Sequence, residues 1–379
     1  MQIKVYKEIV FVLDLRKQDT IPYIITIQKR GKNMADLQAQ FKAFNSKIYL
    51  TGRSDSFKKA KEKDDSILKE LKLVFTDKGY PIIDSFRQGS FAVDTAIYNL
   101  DGDYDFDRTL LIDADCAPDD PVEPKRVIKE VLEKRNFKDP KIKKPCVTAD
   151  YKSINLHIDY TVYKIDQFDT MFLAIGKHGS GNEHKEWAES DQKGLIEWIN
   201  DVERYTGNVS KKRYQYKRLI RFMKRWRDFN FSDEVKKKIF SIGLTVMIKS
   251  EYTNQFSNQE QIGDLEALSL IVNRILNGSY LKCQSDGKYR VSVQLPTVPY
   301  RDIFQHKISG YSFDGSDKNI GTQFRNKLVY LNEELKKAID EPDPYEASKL
   351  LRVVFGDDFP LANMKKNENT PYSRTGTSA

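Results

Sequence analysis

Three aspartates at alternate positions, Asp103, Asp105 and Asp107, stand just before an apolar run at residues 110–112. Successive side chains of a β-strand point to opposite faces, so a strand here would place all three carboxylates on one face. Crowded carboxylates repel one another unless a cation neutralises them. Hard divalent cations such as Mg²⁺ bind oxygen ligands and often share them with substrate phosphates. The run therefore predicts a metal-dependent site that acts on phosphates.

Two further features support this prediction. Gly89 and Ser90 form a small-residue turn upstream, where backbone N–H groups and a hydroxyl can approach phosphate oxygens. Asp159 lies in a later segment, residues 153–163, in which apolar and polar side chains alternate. A lone aspartate is unfavourable in a strand, which indicates a specific role for it. If the two strands are neighbours, Asp159 adds a further acid to a two-metal centre.

Simpler explanations of these acids stay open from the residues alone. An isolated pair of alternating aspartates is common on solvated strand edges, and Asp159 could be an ordinary exposed strand residue. A calcium-binding loop does not fit, because it needs a central glycine and a glutamate at its twelfth position. The twelfth residue counted from Asp103 is Ala114, and no glycine lies between them at the centre.

Four blocks of sequence together resemble the DNA polymerase β-type nucleotidyltransferases, and within them the bacterial CD-NTases. These are the cGAS/DncV-like cyclic-oligonucleotide synthases of CBASS antiphage systems. The blocks are Q-G-S-F-A-V-D-T at residues 88–95, D-F-D at 105–107, L-H-I-D-Y-T-V-Y at 156–163, and L-I-R-F-M-K-R-W-R-D at 219–228 followed by F-S-I-G-L-T-V-M at 240–247. They occur in the family's order between residues 87 and 247, and jointly they are far more specific than any one block.

The resemblance implies an α+β fold. Its expected core is a polymerase-β-type nucleotidyltransferase domain, a mixed β-sheet flanked by helices, joined to a C-terminal helical lobe in a bilobal arrangement. We expect the catalytic lobe over residues 1–185, including a long spine helix near its N-terminus. The helical lobe would cover residues 186–362, and a flexible tail would cover residues 363–379.

The resemblance also implies the chemistry. A ribose hydroxyl would attack the α-phosphorus of a nucleoside triphosphate, and pyrophosphate would leave. Asp105, Asp107 and Asp159 would be catalytic and would bind two Mg²⁺ ions, with Mn²⁺ as an alternative. The residues expected to bind the nucleotide are Gln88, Gly89, Ser90, Arg221, Lys224 and Ser241. Ring closure would give a cyclic di- or trinucleotide from ATP, GTP or both.

Three alternatives remain beside this interpretation. Asp103 and Asp105 also form an alternating pair, but Asp105 and Asp107 are preferred because Asp107 runs directly into the apolar strand. A terminal or oligoadenylate-type nucleotidyltransferase would make linear products and would need an RNA-binding surface. A catalytically inactive nucleotide-binding module is the third alternative, although it would have little reason to keep Ser90 and the three acids.

Composition limits the class of protein only broadly. The chain of 379 residues has a net charge of +8 and an isoelectric point near 9.0, which suits a polyanionic ligand such as a nucleotide. Its three cysteines are odd in number and contain no C-x-x-C motif, which argues against a disulfide framework and a zinc site. No apolar run approaches the length of a membrane span, and no secretory signal is recognisable. We therefore expect a cytoplasmic protein.

Apolar periodicity predicts helices at residues 56–78, 124–135, 259–277, 321–340 and 344–354, and a short strand at 289–294. Residues 211–227 predict a further helix with nine basic residues and no acid, which is either a solvated face or a phosphate-binding surface. The polar tail fits, by resemblance, a partner similar to ubiquitin-conjugating enzymes. A downstream effector would respond to the cyclic nucleotide, and no DNA or RNA activator is indicated.

Overall fold

The computed structural model describes residues 35–100, 104–177, 179, 181–201, 209–252, 256–257, 260–304 and 319–364. The alternative metal register at Asp103 and the accessible tail at residues 365–379 are predictions that lie outside these residues. None of the helices within the described ranges combines the length and apolar composition that crossing a bilayer requires.

Helices and strands alternate through the first half of the described chain, and helices dominate the second half. The helices are α1 (Gln38–Ile48), α2 (Asp55–Asp77), α3 (Gly89–Ala92), α4 (Glu123–Lys134), α5 (Gln192–Asn200), α6 (Val209–Asn230), α7 (Asp233–Lys236), α8 (Ser241–Glu251), α9 (Asp264–Asn277), α10 (Ile320–Asp340) and α11 (Pro344–Phe355). The strands are β1 (Ile82–Gln88), β2 (Tyr104–Asp113), β3 (Lys141–Ile142), β4 (Val147–Tyr151), β5 (Leu156–Ile165), β6 (Met171–Ile175), β7 (Glu186–Glu189), β8 (Phe256–Ser257), β9 (Glu260–Gln261), β10 (Leu281–Cys283) and β11 (Tyr289–Val291).

Strands β1 to β7 form one mixed sheet. Its main path runs in the order β1-β2-β5-β4-β3, while β6 pairs with the end of β5 and β7 pairs with β6. The pair β2 and β5 is parallel, and their neighbours β1 and β4 run antiparallel to them. The two strands that carry the candidate acids are therefore adjacent at the centre of the sheet, as the interpretation of Asp159 requires.

The alternating side chains of β2 and β5 explain why these strands lie in the middle. Tyr104 and Phe106 on β2, with Ile158 and Tyr160 on β5, point to one face and are buried. That face packs beneath α2 and α4 in a single hydrophobic core. Burial of these apolar side chains fixes the register, because a slip by one residue would exchange the two faces. The opposite face is left to Asp105, Asp107 and Asp159.

A second hydrophobic core unites the helical half of the chain with α1. Phe41 and Phe44 of α1 pack against Phe222 of α6 and against Phe355 and Phe359 near α11, with ring centroids 5.1–5.3 Å apart. The predicted α+β, bilobal architecture is confirmed. The boundaries of the two lobes stay a prediction. The predicted catalytic lobe, residues 1–185, includes α1, but in the structure α1 packs with the helical lobe.

Most predicted elements differ from the observed ones only at their ends. The helix predicted to begin at residue 259 begins at Asp264, where the Glu266 side chain accepts from the Gly263 N–H at 2.7 Å and Gln38 accepts from the Asp264 N–H at 2.8 Å. The predicted spine helix, α2, packs along the sheet of the catalytic lobe. It is therefore a layer of that lobe.

Candidate active site

The strand register brings the three predicted acids together on one face of the sheet. Asp107 on β2 lies directly beside Asp159 on β5, and Asp105 lies beside His157. All three aspartates line a cleft of about 820 Å³ between the sheet and the helical lobe. Asp105 is exposed in this cleft, and Asp107 is partly buried. The arrangement predicted from alternation is thus the one that the fold produces.

Burial and mutual repulsion together raise the pKa of the central acid. Burial, followed by the negative charges of Asp159 and Asp105, raises the pKa of Asp107 from 3.8 to about 7. Lys224 and Lys143 oppose the rise, but they do not cancel it. A cation that binds beside this carboxyl group would stabilise its charged form, because the cation offsets both the repulsion and the loss of solvation.

Asp159 is held by groups from β4 and from the loop that precedes β4. The Thr148 hydroxyl donates to its Oδ1, and the Lys143 ammonium lies 3.5 Å from the same atom. Burial, followed by the negative charge of Asp159, raises the pKa of the nearby Cys146 thiol to about 12. Asp159 is therefore oriented by its neighbours before any ligand binds.

The turn at Gly89 approaches the acids more closely than any other residue type would allow. Gly89 has a φ of +64°, and a Cβ atom built there would lie 2.0 Å from Oδ2 of Asp107. Ser90 follows in the first turn of α3 and lines the cleft. Phe91 anchors α3 in the core through Phe57 and Phe106, with centroid distances of 5.2 and 5.6 Å. The turn is thereby fixed against the metal-ligand candidates.

The helical lobe supplies the opposite wall of the cleft. Lys224, Arg227 and Asp228 from α6 line it together with Ser241, the first residue of α8. Arg227 donates to the Ser241 hydroxyl oxygen at 2.7 Å. Because that oxygen already accepts a hydrogen bond, the hydroxyl proton is directed to another acceptor. A phosphate oxygen in the cleft would be such an acceptor.

The donor chemistry of the site fits a divalent cation. Three carboxylates offer only oxygen ligands, and the repulsion from Asp159 and Asp105 helps to raise the pKa of Asp107 despite the charges of Lys224 and Lys143. Among the residues that the structure describes, no three His, Cys, Asp or Glu side chains lie close enough to form a complete metal cage. Substrate phosphates and water would therefore have to provide further ligands, which is the usual situation for Mg²⁺.

Four basic residues of α6 contact the segment that follows α3, a result that the charge pattern did not predict. Their side chains are 1–5% exposed. The contacts are Lys217 to the Asp94 carboxylate at 2.9 Å, Arg221 to the Asp94 carbonyl, Lys224 to the Thr95 carbonyl at 2.9 Å and Arg225 to the Tyr98 carbonyl. This face of α6 is thus a junction between the two lobes, which we call the α6 junction, rather than a solvated surface.

Two of the predicted nucleotide-binding side chains point away from the cleft. Gln88 bonds to Thr161 and Thr109, at 3.0 Å each, in a buried polar network within the sheet. Arg221 lies over the Tyr49 ring at 4.0 Å and donates to Asn45 at 2.8 Å. Both differ from Gly89, Ser90, Lys224 and Ser241, which the structure brings to the cleft. The binding roles of Gln88 and Arg221 stay predictions that this geometry does not support.

Lys224 belongs both to the α6 junction and to the cleft. Its ammonium donates to the Thr95 carbonyl and, at 3.2 Å, to the Thr95 hydroxyl. Burial, the nearby Arg227 and, to a smaller extent, Arg221 lower its pKa to about 7, against the opposing charges of Asp228 and Asp107. A triphosphate in the cleft would favour the charged form of this lysine.

Sequence reasoning missed Arg227, Thr148 and Lys143 as residues of the site. Arg227 was predicted only as part of a basic helix, and its contact with Ser241 depends on how α8 packs on α6. Lys143 lies in the short basic stretch K-I-K-K at residues 141–144, which belongs to none of the four sequence blocks. Its proximity to Asp159 depends on the pairing of β4 with β5, in which Thr148 is opposite Asp159.

We expect Asp107→Asn to stabilise the metal-free protein at pH 8 by about 2 kcal/mol. The native pKa near 7 exceeds the ordinary 3.8, so the folded state binds the proton more tightly and loses stability as pH rises from about 4 to 7. The shift, which already includes the attraction of Lys224, gives about 4 kcal/mol, and we halve this because the side chain is only partly buried and solvent screens its charge. Urea unfolding in EDTA at pH 8 and pH 4 measures the effect, which should vanish at pH 4. An equal effect at both pH values would contradict it.

Comparison with known protein families bears on the segment that carries the candidate acids. Residues 84–163 match the family described as "Cyclic GMP-AMP synthase DncV-like, nucleotidyltransferase domain". This segment is therefore similar to a DncV-like nucleotidyltransferase domain. The matched segment runs from within β1 to within β5, so it contains Gly89, Ser90 and all three candidate acids. The resemblance to the bacterial CD-NTases is confirmed. No curated protein matches the chain in sequence.

Solved structures extend the likeness beyond the nucleotidyltransferase domain. The structure of the CD-NTase CdnG of Bradyrhizobium diazoefficiens in complex with GTP has a TM-score of 0.60 at 14% identity and covers 85% of this chain and 96% of that one. Vibrio cholerae DncV cyclic AMP-GMP synthase gives 0.55 at 19% identity, with 85% of each chain covered. E. coli MS115-1 CdnC with ATP gives 0.55 at 15%, covering 85% and 98%. At these identities the likeness shows a shared fold across both lobes.

Proposed function

We propose that this protein joins nucleoside triphosphates into a cyclic di- or trinucleotide and releases pyrophosphate. The observation that carries the proposal is the placement of Asp105, Asp107 and Asp159 on one wall of a cleft whose other wall presents Lys224 and Ser241. A carboxylate cluster opposite a phosphate-binding surface is the arrangement that nucleotidyl transfer needs. The DncV-like nucleotidyltransferase domain supports the same chemistry.

Each residue has a distinct task in this reaction. Asp105, Asp107 and Asp159 would bind two Mg²⁺ ions, which supply Lewis-acid stabilisation of the negative charge that develops on the reacting oxygens. Asp159, already oriented by Thr148, would accept the proton of the attacking ribose hydroxyl. That hydroxyl attacks the α-phosphorus, and the bond to the pyrophosphate oxygen breaks.

The triphosphate would lie between the two lobes. The Gly89 turn and the Ser90 hydroxyl approach from the catalytic lobe, and the Ser241 hydroxyl, oriented by Arg227, approaches from the helical lobe. Lys224 would add a charge to the phosphates while it holds Thr95. The solved CdnG and CdnC structures contain GTP and ATP respectively, and we take both nucleotides as the first substrates to test.

The resemblance to CD-NTases also suggests a biological role for the proposed cyclic nucleotide. We propose a role in CBASS antiphage defence, in the cytoplasm, with an effector that responds to the cyclic product. The C-terminal tail would be the attachment point for a partner similar to ubiquitin-conjugating enzymes. This part of the proposal rests on the resemblance to CD-NTases alone.

A linear product from RNA-primed extension is the second candidate, and burial of part of the basic helix argues against it. Four of the nine basic residues at 211–227, Lys217, Arg221, Lys224 and Arg225, are only 1%, 4%, 5% and 3% exposed. Contacts with an RNA backbone require solvent-accessible cations. The α6 junction uses these cations inside the protein instead, so we favour a cyclic product made without a nucleic-acid primer.

The deciding experiment incubates the full chain with all four nucleoside triphosphates and Mg²⁺, followed by phosphatase treatment and mass spectrometry. We expect a phosphatase-resistant cyclic product that Asp105→Ala abolishes, because Asp105 provides oxygen ligands in the cleft. Asp115→Ala, which removes an exposed aspartate beyond the end of β2, is the matched control and should leave the product unchanged. Linear, phosphatase-sensitive chains would support the second candidate. Nucleotide binding without any product would indicate an inactive module.

A further inference from the structure

Lys143 is a cation placed at the edge of the carboxylate cluster. It lies between β3 and β4, lines the cleft with the three aspartates, and has a side chain that is 50% exposed. Its ammonium is 3.5 Å from Oδ1 of Asp159. Coulombic attraction at this distance is modest at a solvated position, but it acts on the carboxylate that would bind a metal ion.

The loop that carries Lys143 is anchored from beneath by a buried lysine. Lys125 of α4 is fully buried, and its ammonium donates to four backbone carbonyl groups. These belong to Lys143 at 3.4 Å, Lys144 at 2.8 Å, Ala174 at 3.1 Å and Gly176. The Lys143 N–H also donates to the Cys146 carbonyl at 2.8 Å. The backbone at Lys143 is therefore fixed, so only its side chain has to move for the ammonium to leave Asp159.

A bound divalent cation and the Lys143 ammonium would compete for the same carboxylate. Both are positively charged, and Oδ1 of Asp159 already contacts the Thr148 hydroxyl as well as Lys143. Two cations held a few ångströms apart repel each other, so each weakens the binding of the other. The flexible stem of a half-exposed lysine allows it to withdraw into the cleft, where phosphate oxygens could receive it.

We propose that Lys143 is the resident counter-ion of Asp159, and that it competes with the divalent cation and thereby sets the metal concentration that this site requires. The inference rests on the proposed function, since it assumes that Asp159 is a metal ligand. Lys143 acts here as a positioning residue through Asp159, and it takes no part in bond making or breaking. Its removal should therefore tighten metal binding rather than abolish the reaction.

The test measures Mn²⁺ binding to the full chain without nucleotide. The electron paramagnetic resonance signal of free Mn²⁺ reports how much of the ion stays unbound. We expect Lys143→Met to bind Mn²⁺ about three- to fivefold more tightly than the unchanged protein, the upper part of the range that one solvated charge pair can produce. Lys138→Met is the matched control. It removes an equal charge from an exposed site on the same lobe, in a depression that contains none of the three aspartates, and should change the affinity less than twofold.

Two outcomes would overturn the inference. Unchanged or weaker Mn²⁺ binding by Lys143→Met would show that the ammonium does not compete with the metal. A Michaelis constant for nucleoside triphosphate that rises tenfold, with Mn²⁺ affinity unchanged, would assign Lys143 to the phosphates instead. The binding measurement needs no turnover, so it separates a failure of this inference from a failure of the proposed function. Loss of Mn²⁺ binding in Asp159→Asn confirms that the signal reports this site.

Discussion

Gly89→Ala is expected to lower product formation at least ~100-fold while the protein stays folded, since displacing a catalytic group by about 1 Å can cost that much. An alanine Cβ at this position would lie 2.0 Å from Oδ2 and 2.8 Å from Cγ of Asp107, so the carboxylate must move. The φ of +64° adds backbone strain of roughly 1 kcal/mol for any residue with a side chain. Initial rates and urea unfolding of the variant measure the two effects separately.

Gly79→Ala separates the contact with Asp107 from the strain. Gly79 also has a left-handed backbone, with φ of +88°, and a Cβ built there meets no atom within 4 Å. This control should lose about as much stability as Gly89→Ala but keep its activity. If both variants lose activity equally, the close approach of Gly89 to Asp107 has no catalytic importance.

Asp64→Ala is expected to destabilise the protein by about 3–5 kcal/mol, the usual result of leaving one member of a buried ion pair uncompensated. Asp64 lies on α2, is fully buried, and accepts from Arg108 Nε at 2.9 Å and from the Tyr160 hydroxyl at 3.2 Å. Arg108 is itself only 8% exposed. The carboxylate therefore ties α2 to the two strands that hold the candidate catalytic acids. Equilibrium urea unfolding measures the loss.

The neighbouring Asp65 provides the control for this prediction. It lies on the exposed side of α2, where it pairs with Lys61 one turn away. Asp65→Ala should change stability by less than ~0.5 kcal/mol, as is usual for solvated pairs on a helix. Equal effects of the two substitutions would mean that the ion pair beneath the sheet contributes nothing specific. A large loss in Asp64→Ala alone would assign it a structural role behind the active site.

Alternation of side chains was sufficient to predict the centre of this site. The apolar positions of β2 and β5 are buried, so Asp105, Asp107 and Asp159 had to share the other face once the strands were adjacent. Short-range turn chemistry likewise predicted Gly89. The turn is a local feature, and the shared face of the acids depends on a single strand pairing. The alternation of apolar and polar residues in the sequence is enough to predict that face.

Features that depend on packing between distant segments could not be predicted. The cations of α6 have the same pattern on a solvated helix as on a buried one, and their partners at residues 94–98 lie 123–129 positions earlier in the chain. The role of Lys143 depends on how β4 pairs with β5, and the contact between Arg227 and Ser241 depends on two helices meeting. Sequence periodicity contains no information about such partners.

The position of α1 has a consequence for the order in which the chain can fold during synthesis. Phe44 leaves the ribosome 311 residues before its partner Phe355, which at 5–20 residues per second is roughly 15–60 s. All strands of the large sheet emerge within that interval, so the catalytic lobe can fold while the aromatic face of α1 still lacks its partners in α11. A nascent chain arrested between α6 and α11 would therefore present a folded catalytic lobe beside an incompletely covered aromatic helix, which is a typical binding site for chaperones.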